Sequence, residues 1–525
     1  MSQTNLLRKK HLLITCAVTA CTIAAALVVV YAQSTPAIWQ MSGNDVTNSR
    51  NQPAEHVIQR SNVSTLSPKW TFTTQGDVSA TPTLDSTAVY AADWAGNLYA
   101  ISRSAGQQLW SHSIAQYDGF SGSISRTSPA LFNADLIIGD LESPGKTHSG
   151  ANVIAINRQT GTLHWITQVD AHPAAEITGP PVVAGSMIIV GVSSNEEGLA
   201  AQAGYACCTF RGSVVALDGA TGKILWQTYT VPANGGQTGG YSGGAVWQPA
   251  AVDTANGLVY IGVGNNYSAP QSVEDCQSNA SAGERASCFD PADYFDTELA
   301  LSLASGAIRW SRTLQGSDIW TVACTAAMPG TPCPSPAGPD FDLGGSGPNL
   351  LTNLLAVGQK SGMLWGLDPG TGAVRWGTPV GPGSTLGGIE WGTASDGQRI
   401  YAAISNSLHN SYSLEKNGLA TSWGSWSAIN ARTGKIEWQT ADPTEGAIDP
   451  GAMSVANGIV YAGSFSGFMY AMDASTGRIL WSFDSGGSVV DGPSIADGMV
   501  YWGSGYSHIK PGKGNNKIYA FAPAQ

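Results

Sequence analysis

Seven copies of one short pattern govern what this chain can fold into. Each runs from Asp, Asn or Ser through two residues to Thr, Ser or Ala, then Gly, three more residues and Trp. The copies are Ser102 to Trp110, Asn157 to Trp165, Asp218 to Trp226, Ser302 to Trp310, Asp368 to Trp376, Asn430 to Trp438 and Asp473 to Trp481. An alternating apolar strand precedes them, as in Ser213–Leu217 and Phe468–Met472. Asp or Asn followed by Thr-Gly is a tight-turn signal between strands. The Trp beyond the turn has a ring large enough to fill the space between neighbouring sheets. Repeats of this size, with several short strands each, predict an all-β protein, a β-propeller. Trp70, in Leu66-Ser-Pro-Lys-Trp70, is an eighth Trp without a strand before it, and Lys517–Phe521 is a final strand without a Trp after it. Joining these two ends in one blade closes an eight-bladed ring and removes its exposed edges. Residues 268–292 and 324–347, rich in Pro, Gly, Ser and Cys, are expected to be loops over one face, where function concentrates.

Composition narrows the function. Asp+Glu outnumber Lys+Arg by 37 to 25, a net charge of −12, and there is no long basic run, which argues against a nucleic-acid partner. With 42% hydrophobic residues the chain has material for a large core and is not a disordered polymer. Arg8, Lys9 and Lys10 precede an apolar run from Leu12 to Val30, followed by Val30-Tyr31-Ala32. Residues 1–32 therefore read as a secretory signal cut after Ala32, leaving 33–525 as the propeller. The run also approaches the length of a membrane helix, so a retained anchor is one alternative, and a lipoprotein box at Val18–Cys21 is another. All three readings export the protein, to the periplasm or beyond.

Cysteine usage agrees with export. Beyond the leader lie Cys207, Cys208, Cys276, Cys288, Cys324 and Cys333, in three local pairs that an oxidising compartment permits as disulfides. The pairs 276/288 and 324/333 read as staples across long loops. A bond between the neighbours Cys207 and Cys208 closes no useful loop and adds little chain-entropy stabilisation. It would instead make a stiff ring with a flat, polarizable face. The sequence contains no Cys-x-x-Cys-His, so there is no covalent c-type haem site.

Several motifs together resemble the pyrroloquinoline-quinone (PQQ) dependent alcohol dehydrogenases, and among them the polyvinyl-alcohol dehydrogenase branch. They are Trp39-x-x-x-Gly43-x-Asp45, Ser193-Ser-Asn-Glu-Glu197, Cys207-Cys-Thr-Phe-Arg-Gly212, Gly338-Pro-Asp-Phe-Asp342, Gly358-Gln-Lys-Ser-Gly362 and Gly387-Gly-Ile-Glu-Trp-Gly392. The resemblance spans nearly the whole mature chain and implies an eight-bladed propeller with quinone and metal near its axis. PQQ is flat and anionic, so its site needs planar faces, polar groups for its carboxylates and a cation at the quinone oxygens. Trp247 matches the stacking indole, and the Cys207–Cys208 ring is expected on the opposite face. In methanol dehydrogenases the paired cysteines precede the metal-binding Glu, whereas here they follow it. Ser193, Thr178 and Arg211 match polar contacts to the quinone.

The metal expected is Ca²⁺ or a lanthanide, held by hard oxygens. Glu196 matches the family's metal-binding Glu, with Glu197 in reserve because it points oppositely if the chain stays extended. Asn265 matches the ligand Asn. The family's base lies in a Trp-Asp-Tyr-Asp-like stretch, which Asp318-Ile319-Trp320 begins but Thr321 interrupts. Pro339-Asp340-Phe341-Asp342 resumes it, so Asp340 is the expected base, with Asp318 in reserve. Asp342, two residues on, stands where an acid accompanies a lanthanide in relatives. Lys360 matches the cation, usually Arg, at the quinone oxygens, and keeps the charge without the bidentate fork. Glu390 and Trp391 are expected to border the pocket, and His172 and His409 to be structural.

Each residue also has a plainer reading: Trp247 in a blade core, Glu196/Glu197 and Asp340/Asp342 in solvated loops, Asn265 in a turn, Lys360 as a surface cation. The resemblance implies a dehydrogenase of secondary alcohols, plausibly those of polyvinyl alcohol, with a separate soluble cytochrome c as electron acceptor. The alternatives are a PQQ dehydrogenase of small alcohols or sugars, and a non-enzymatic scaffold propeller of the cell envelope.

Overall fold

In the computed structural model, residues 36–524 are described apart from 143–149, 326–331, 344 and 417. The expected leader, residues 1–32, and part of the loop 324–347 lie outside the described residues. Among the described residues no helix is long and apolar enough to cross a membrane.

Eight antiparallel sheets follow one another along the described chain, seven of four strands and one, blade 3, in which Ala175–Glu176 adds a fifth against the end of Met187–Ser194. Blade 1 is built from Thr83–Leu84, Ala88–Ala92, Asn97–Ser102 and Gln108–Ser113. Blades 2 to 7 repeat this meander, with innermost strands Ala130–Phe132, Val182–Ala184, Ala251–Asp253, Asn349–Leu351, Ala394–Ser395 and Met453–Ala456. Blade 8 takes Ser494–Ala496, Met499–Ser504 and Lys517–Ala522 from the end of the chain, and its outermost strand, Ser67–Thr73, from the beginning. The ring closes as the sequence predicts, with Trp70 opposite Ala520.

The repeat has a physical explanation in the contacts between blades. Each pattern Trp donates its indole N–H to a carbonyl of the following blade: Trp110 to Arg158 O (3.0 Å), Trp165 to Gly219 O (3.1 Å), Trp226 to Leu303 O (2.9 Å), Trp310 to Pro369 O (3.0 Å), Trp376 to Ala431 O (3.1 Å) and Trp438 to Ala474 O (3.0 Å). Trp481 reaches Leu66 O (2.9 Å) and Trp70 reaches Arg103 O (3.1 Å), completing the circle through blade 8. The pattern Gly serves the same contact. Gly372, at φ +68°, lies so close beneath Trp310 that a Cβ would stand 2.5 Å from the ring, and Gly306 is placed alike beneath Trp226. Only Gly combines that left-handed backbone with that approach at low cost.

An irregular N-terminal segment crosses one end of the ring. Trp39 bridges to Leu84 of blade 1, Thr47 O accepts from Leu350 of blade 5, and Arg50 O accepts from Val455 of blade 7. The Gly43/Asp45 motif thus serves this strap. Asp45 accepts from Thr47 and Ser49 within its own turn. All three cysteine pairs are bonded.

Candidate active site

A cavity of about 290 Å³ opens at the hub. Its walls come from one recurring position. Four residues ahead of the innermost strand, blades 2, 3, 4 and 6 place Arg126, Thr178, Trp247 and Glu390, and all four line it. Blade 5 has Gly345 there, where a Cβ would sit 3.3 Å from the Trp247 ring. The absent side chain leaves one face of the indole open.

Of the residues expected from sequence, Trp247, Thr178, Ser193, Asn265, Asp340, Asp342 and Lys360 converge on this cavity, bordered by Glu390 and Trp391. Lys360, 7% exposed, is the electrostatic centre. Its Nζ lies 2.9 Å from Asp340 Oδ1 and 2.9 Å from Asp342 Oδ2, and 5.4 Å from the centre of the Trp247 ring. Asp342 Oδ1 accepts the backbone N–H of Asn265 (2.6 Å). Asn265 Nδ2 donates to Asn266 O (3.1 Å) and Trp320 O (2.9 Å), which leaves Oδ1 as the side chain's remaining acceptor. Thr178 and Ser193 share a hydroxyl hydrogen bond of 2.8 Å.

Burial is the largest influence on the acids here. It drives Asp340 well above the ordinary carboxylate range, with Lys360 opposing and Asp342 and Glu197 adding to it. Glu390 is pushed up to about 7 by burial, against the pull of Lys360. Such perturbed groups gathered in one cleft mark functional sites.

The glutamate pair requires a correction. Glu197, the reserve residue, lines the cavity, whereas Glu196 does not. The strand Met187–Ser194 ends two residues earlier and the chain turns into a short helix, Glu196–Leu199, so extended-chain alternation does not apply. Fully buried, Glu196 accepts the amides of Thr209 (2.9 Å) and Phe210 (2.8 Å). Glu197 has a buried Oε1 without a hydrogen-bond partner, and burial pushes it up to about 8.

Three further expectations are corrected. Cys207 and Cys208 are not among the lining residues. The segment that follows them is clamped by Glu196, and Phe210 stacks on Tyr267, which forms the wall (6.3 Å between ring centres). Arg211 turns outward to Val231 O (2.8 Å) and the face of Tyr229 (4.1 Å). Asp318 lies behind the wall, accepting backbone amides. His172 donates to or accepts from Thr209 Oγ1 (2.9 Å), and His409 faces Ser422 O (3.1 Å). Sequence reasoning missed Arg126, Tyr267 and Tyr506 as lining residues. For Arg126 the signal was available, since Arg126 precedes its blade by the same interval as Thr178 and Trp247.

A family model described as "Glucose/ethanol/alcohol dehydrogenase, beta-propeller domain" (PQQ) matches residues 39–329. A polyvinylalcohol dehydrogenase of Sphingopyxis sp. (strain 113P3) is 32% identical over 515 residues, covering 89% of this chain and 72% of that protein. The chain belongs to the PQQ-dependent alcohol dehydrogenases. A second polyvinylalcohol dehydrogenase of this family, from Pseudomonas sp., is 30% identical over 517 residues, covering 90% and 74%. A model for the outer membrane protein assembly factor BamB matches residues 424–523, within the propeller repeats. The quinohemoprotein alcohol dehydrogenase ADHIIG of Pseudomonas putida HK5 superposes with a TM-score of 0.68 at 17% identity (93% of this chain, 80% of that one). A europium-containing methanol dehydrogenase gives 0.66 at 18% (93% and 98%). At these identities the superpositions establish the shared propeller.

The cavity of this PQQ-dependent dehydrogenase fits its cofactor's chemistry. Trp247 offers a flat face, Thr178 and Ser193 offer hydroxyls, and Arg126 and Lys360 offer positive charge to an anionic rim. The oxygen donors Glu197, Asn265, Asp340 and Asp342 suit a hard cation, and the unpartnered Glu197 oxygen has a lone pair free for one. Among the described residues no three acids or histidines are already gathered at coordination distance. Lys360 instead bridges the two aspartates.

Proposed function

We propose that this exported enzyme oxidises secondary alcohol groups, those of polyvinyl alcohol or a similar polyol, and passes electrons to a separate cytochrome c. One observation carries the reading. The stacking indole, the cation, the ligand asparagine and the paired aspartates, far apart in sequence, line a single hub cavity in a chain 32% identical to a polyvinylalcohol dehydrogenase.

When bound, PQQ supplies the two-electron acceptor, and a Ca²⁺ or lanthanide ion supplies Lewis acidity. The chain's own groups do the rest. Trp247 supports the ring plane, and Arg126 with Lys360 balances its negative charge. Asp340 takes the hydroxyl proton on its carboxylate. The Lys360 ammonium beside it favours the ionised form that a base requires. Glu197, Asn265, Asp340 and Asp342 would supply the ion's oxygens. Leu386, Ile509 and Tyr506, packed in one hydrophobic cluster, add apolar wall to the cavity, which suits an aliphatic backbone. The chain carries no haem-attachment motif, consistent with a separate electron carrier.

The test is reconstitution of the purified protein with PQQ plus Ca²⁺ or a lanthanide, and dye-linked oxidation of polyvinyl alcohol beside ethanol and glucose. Turnover of the polymer is expected. Activity on small alcohols alone rejects the polymer assignment, and no quinone uptake with any metal rejects the enzyme reading for this site.

A further inference from the structure

One carboxylate that the proposed reaction leaves unused sits directly behind the base. Asp318 is fully buried and does not line the cavity. Its two oxygens both accept from the loop that carries Asp340, and the buried Asp296 carboxyl lies against the same group. Oδ1 accepts the Asp340 N–H (3.1 Å) and Oδ2 accepts the Phe341 N–H (2.6 Å).

The surroundings make this contact rigid. Asp318 O accepts the Asn266 N–H (3.1 Å), and the Trp320 N–H donates to Asn266 O (2.8 Å). That couples Asp318 to the residue beside the ligand Asn265. On the other side the Gly338 N–H donates to Ile319 O (2.8 Å). A Cβ on Gly338 would overlap Asp318 Oδ1 and stand 2.6 Å from its Cα. Asp340 itself has φ +59°, a left-handed conformation that a non-glycine residue holds only when its surroundings enforce it. The amide that Asp318 receives belongs to that same strained residue. Charge-assisted hydrogen bonds of this kind are about twice as strong as neutral ones.

We propose that Asp318 is a positioning residue: by gripping the amides of Asp340 and Phe341 it holds Asp340 in its left-handed conformation, with its carboxylate directed at Lys360 and the cavity. Asp318 reaches no substrate and exchanges no proton with it. The proposal rests on Asp340 being the base, and the experiment separates the two ideas.

The full chain loaded with PQQ and Ca²⁺ is assayed with pentane-2,4-diol, a fragment of the polymer, and rates are normalised to bound quinone. Hydrogen exchange of the 338–342 backbone is measured on the same proteins. Asp318→Asn keeps the size but turns an amide –NH₂ toward N–H donors. It is expected to lower kcat about 10- to 100-fold with KM within about twofold, the size of effect that small misplacements of a catalytic group produce. It should also speed exchange in 338–342 at least about tenfold, as expected when local protection is lost. Asp340→Asn is expected to abolish turnover and leave that exchange unchanged. Should Asp318→Asn fail to fold, Asp318→Ser, which withdraws both carboxylate acceptors and adds no bulk, is read identically. Wild-type exchange in Asp318→Asn overturns the proposal. So does faster exchange with kcat per bound quinone unchanged, which is what a purely structural loss produces. Full activity in Asp340→Asn refutes the base assignment, while the exchange measurement still decides the grip of Asp318.

Discussion

Replacing Lys360 by Met tests the electrostatics of the hub directly. The methylene stem is retained and the ammonium is lost. In the native cavity that ammonium stands 2.9 Å from each of two buried carboxylates, and Glu197 and Glu390 line the same space. Removing one partner of a buried pair costs about 3–5 kcal/mol, because the other charge is left uncompensated. Lys360 holds two such partners, so the upper end is expected at pH 8. The pH dependence identifies the cause. Burial already raises Asp340 well above the usual range, and without Lys360 it rises further, so acid neutralises the stranded charge. The Lys360 ammonium is itself raised above its ordinary value and stays charged throughout this window. The loss of stability must therefore shrink from pH 8 to pH 5. Urea unfolding of the cofactor-free variant and wild type at both pH values measures it, and millimolar Ca²⁺ should restore part of the loss at pH 8. A destabilisation below about 1 kcal/mol, or one equal at both pH values, refutes this account of the site.

Other expectations follow from single contacts. Gly372→Ala, forced against Trp310 at φ +68°, should lose about 2–4 kcal/mol, whereas Gly446→Ala, at φ +75° with nothing within 4 Å, should lose only the backbone term of about 1–2 kcal/mol; thermal unfolding compares them. Glu197→Gln should weaken Ca²⁺ affinity by calorimetry at least about tenfold. Glu196→Gln, which disturbs the amides of Thr209 and Phe210 and the hydroxyls of Tyr205 and Thr209 but no cavity-lining group, should lower stability by about 1–3 kcal/mol and leave affinity within about threefold. Burial pushes Asp293 up to about 7 from 3.8. Its protonated form is therefore the favoured one in the folded state, and its contribution to stability falls as pH rises from about 4 to 7, by at most about 4 kcal/mol. Asp293→Asn should flatten that part of the profile in chemical unfolding at stepped pH.

The parts of this molecule that were legible in its sequence are those dictated by repetition. Eight tryptophans do the same work at eight interfaces, so their spacing announces the blades, and the two incomplete patterns at the chain ends announce their union. Trp247, Asn265 and Lys360 were legible because family motifs mark them. Glu197 was not, because the rule of alternation assumes a strand and the chain coils into Glu196–Leu199 at that point. The cysteine pair lies in an insertion, and nothing local to Cys207 and Cys208 reveals that Glu196 draws the following amides behind the wall. Arg126 required register across blades, a relation that no single motif displays, whereas the Gly387–Gly392 motif already marked Glu390. Asp318 looked like a base because a carboxylate's type says nothing of whether its oxygens face a substrate or a backbone.

The pairing of Ser67–Thr73 with Lys517–Ala522 has a consequence for how the molecule is made. The clasp joins the first strand of the propeller to its last, so the circle stays open until Lys517–Ala522 has been made. A chain cut short before Lys517 would leave an unpaired sheet margin on each side of the gap. Gain or loss of a whole internal repeat would leave the clasp itself unchanged.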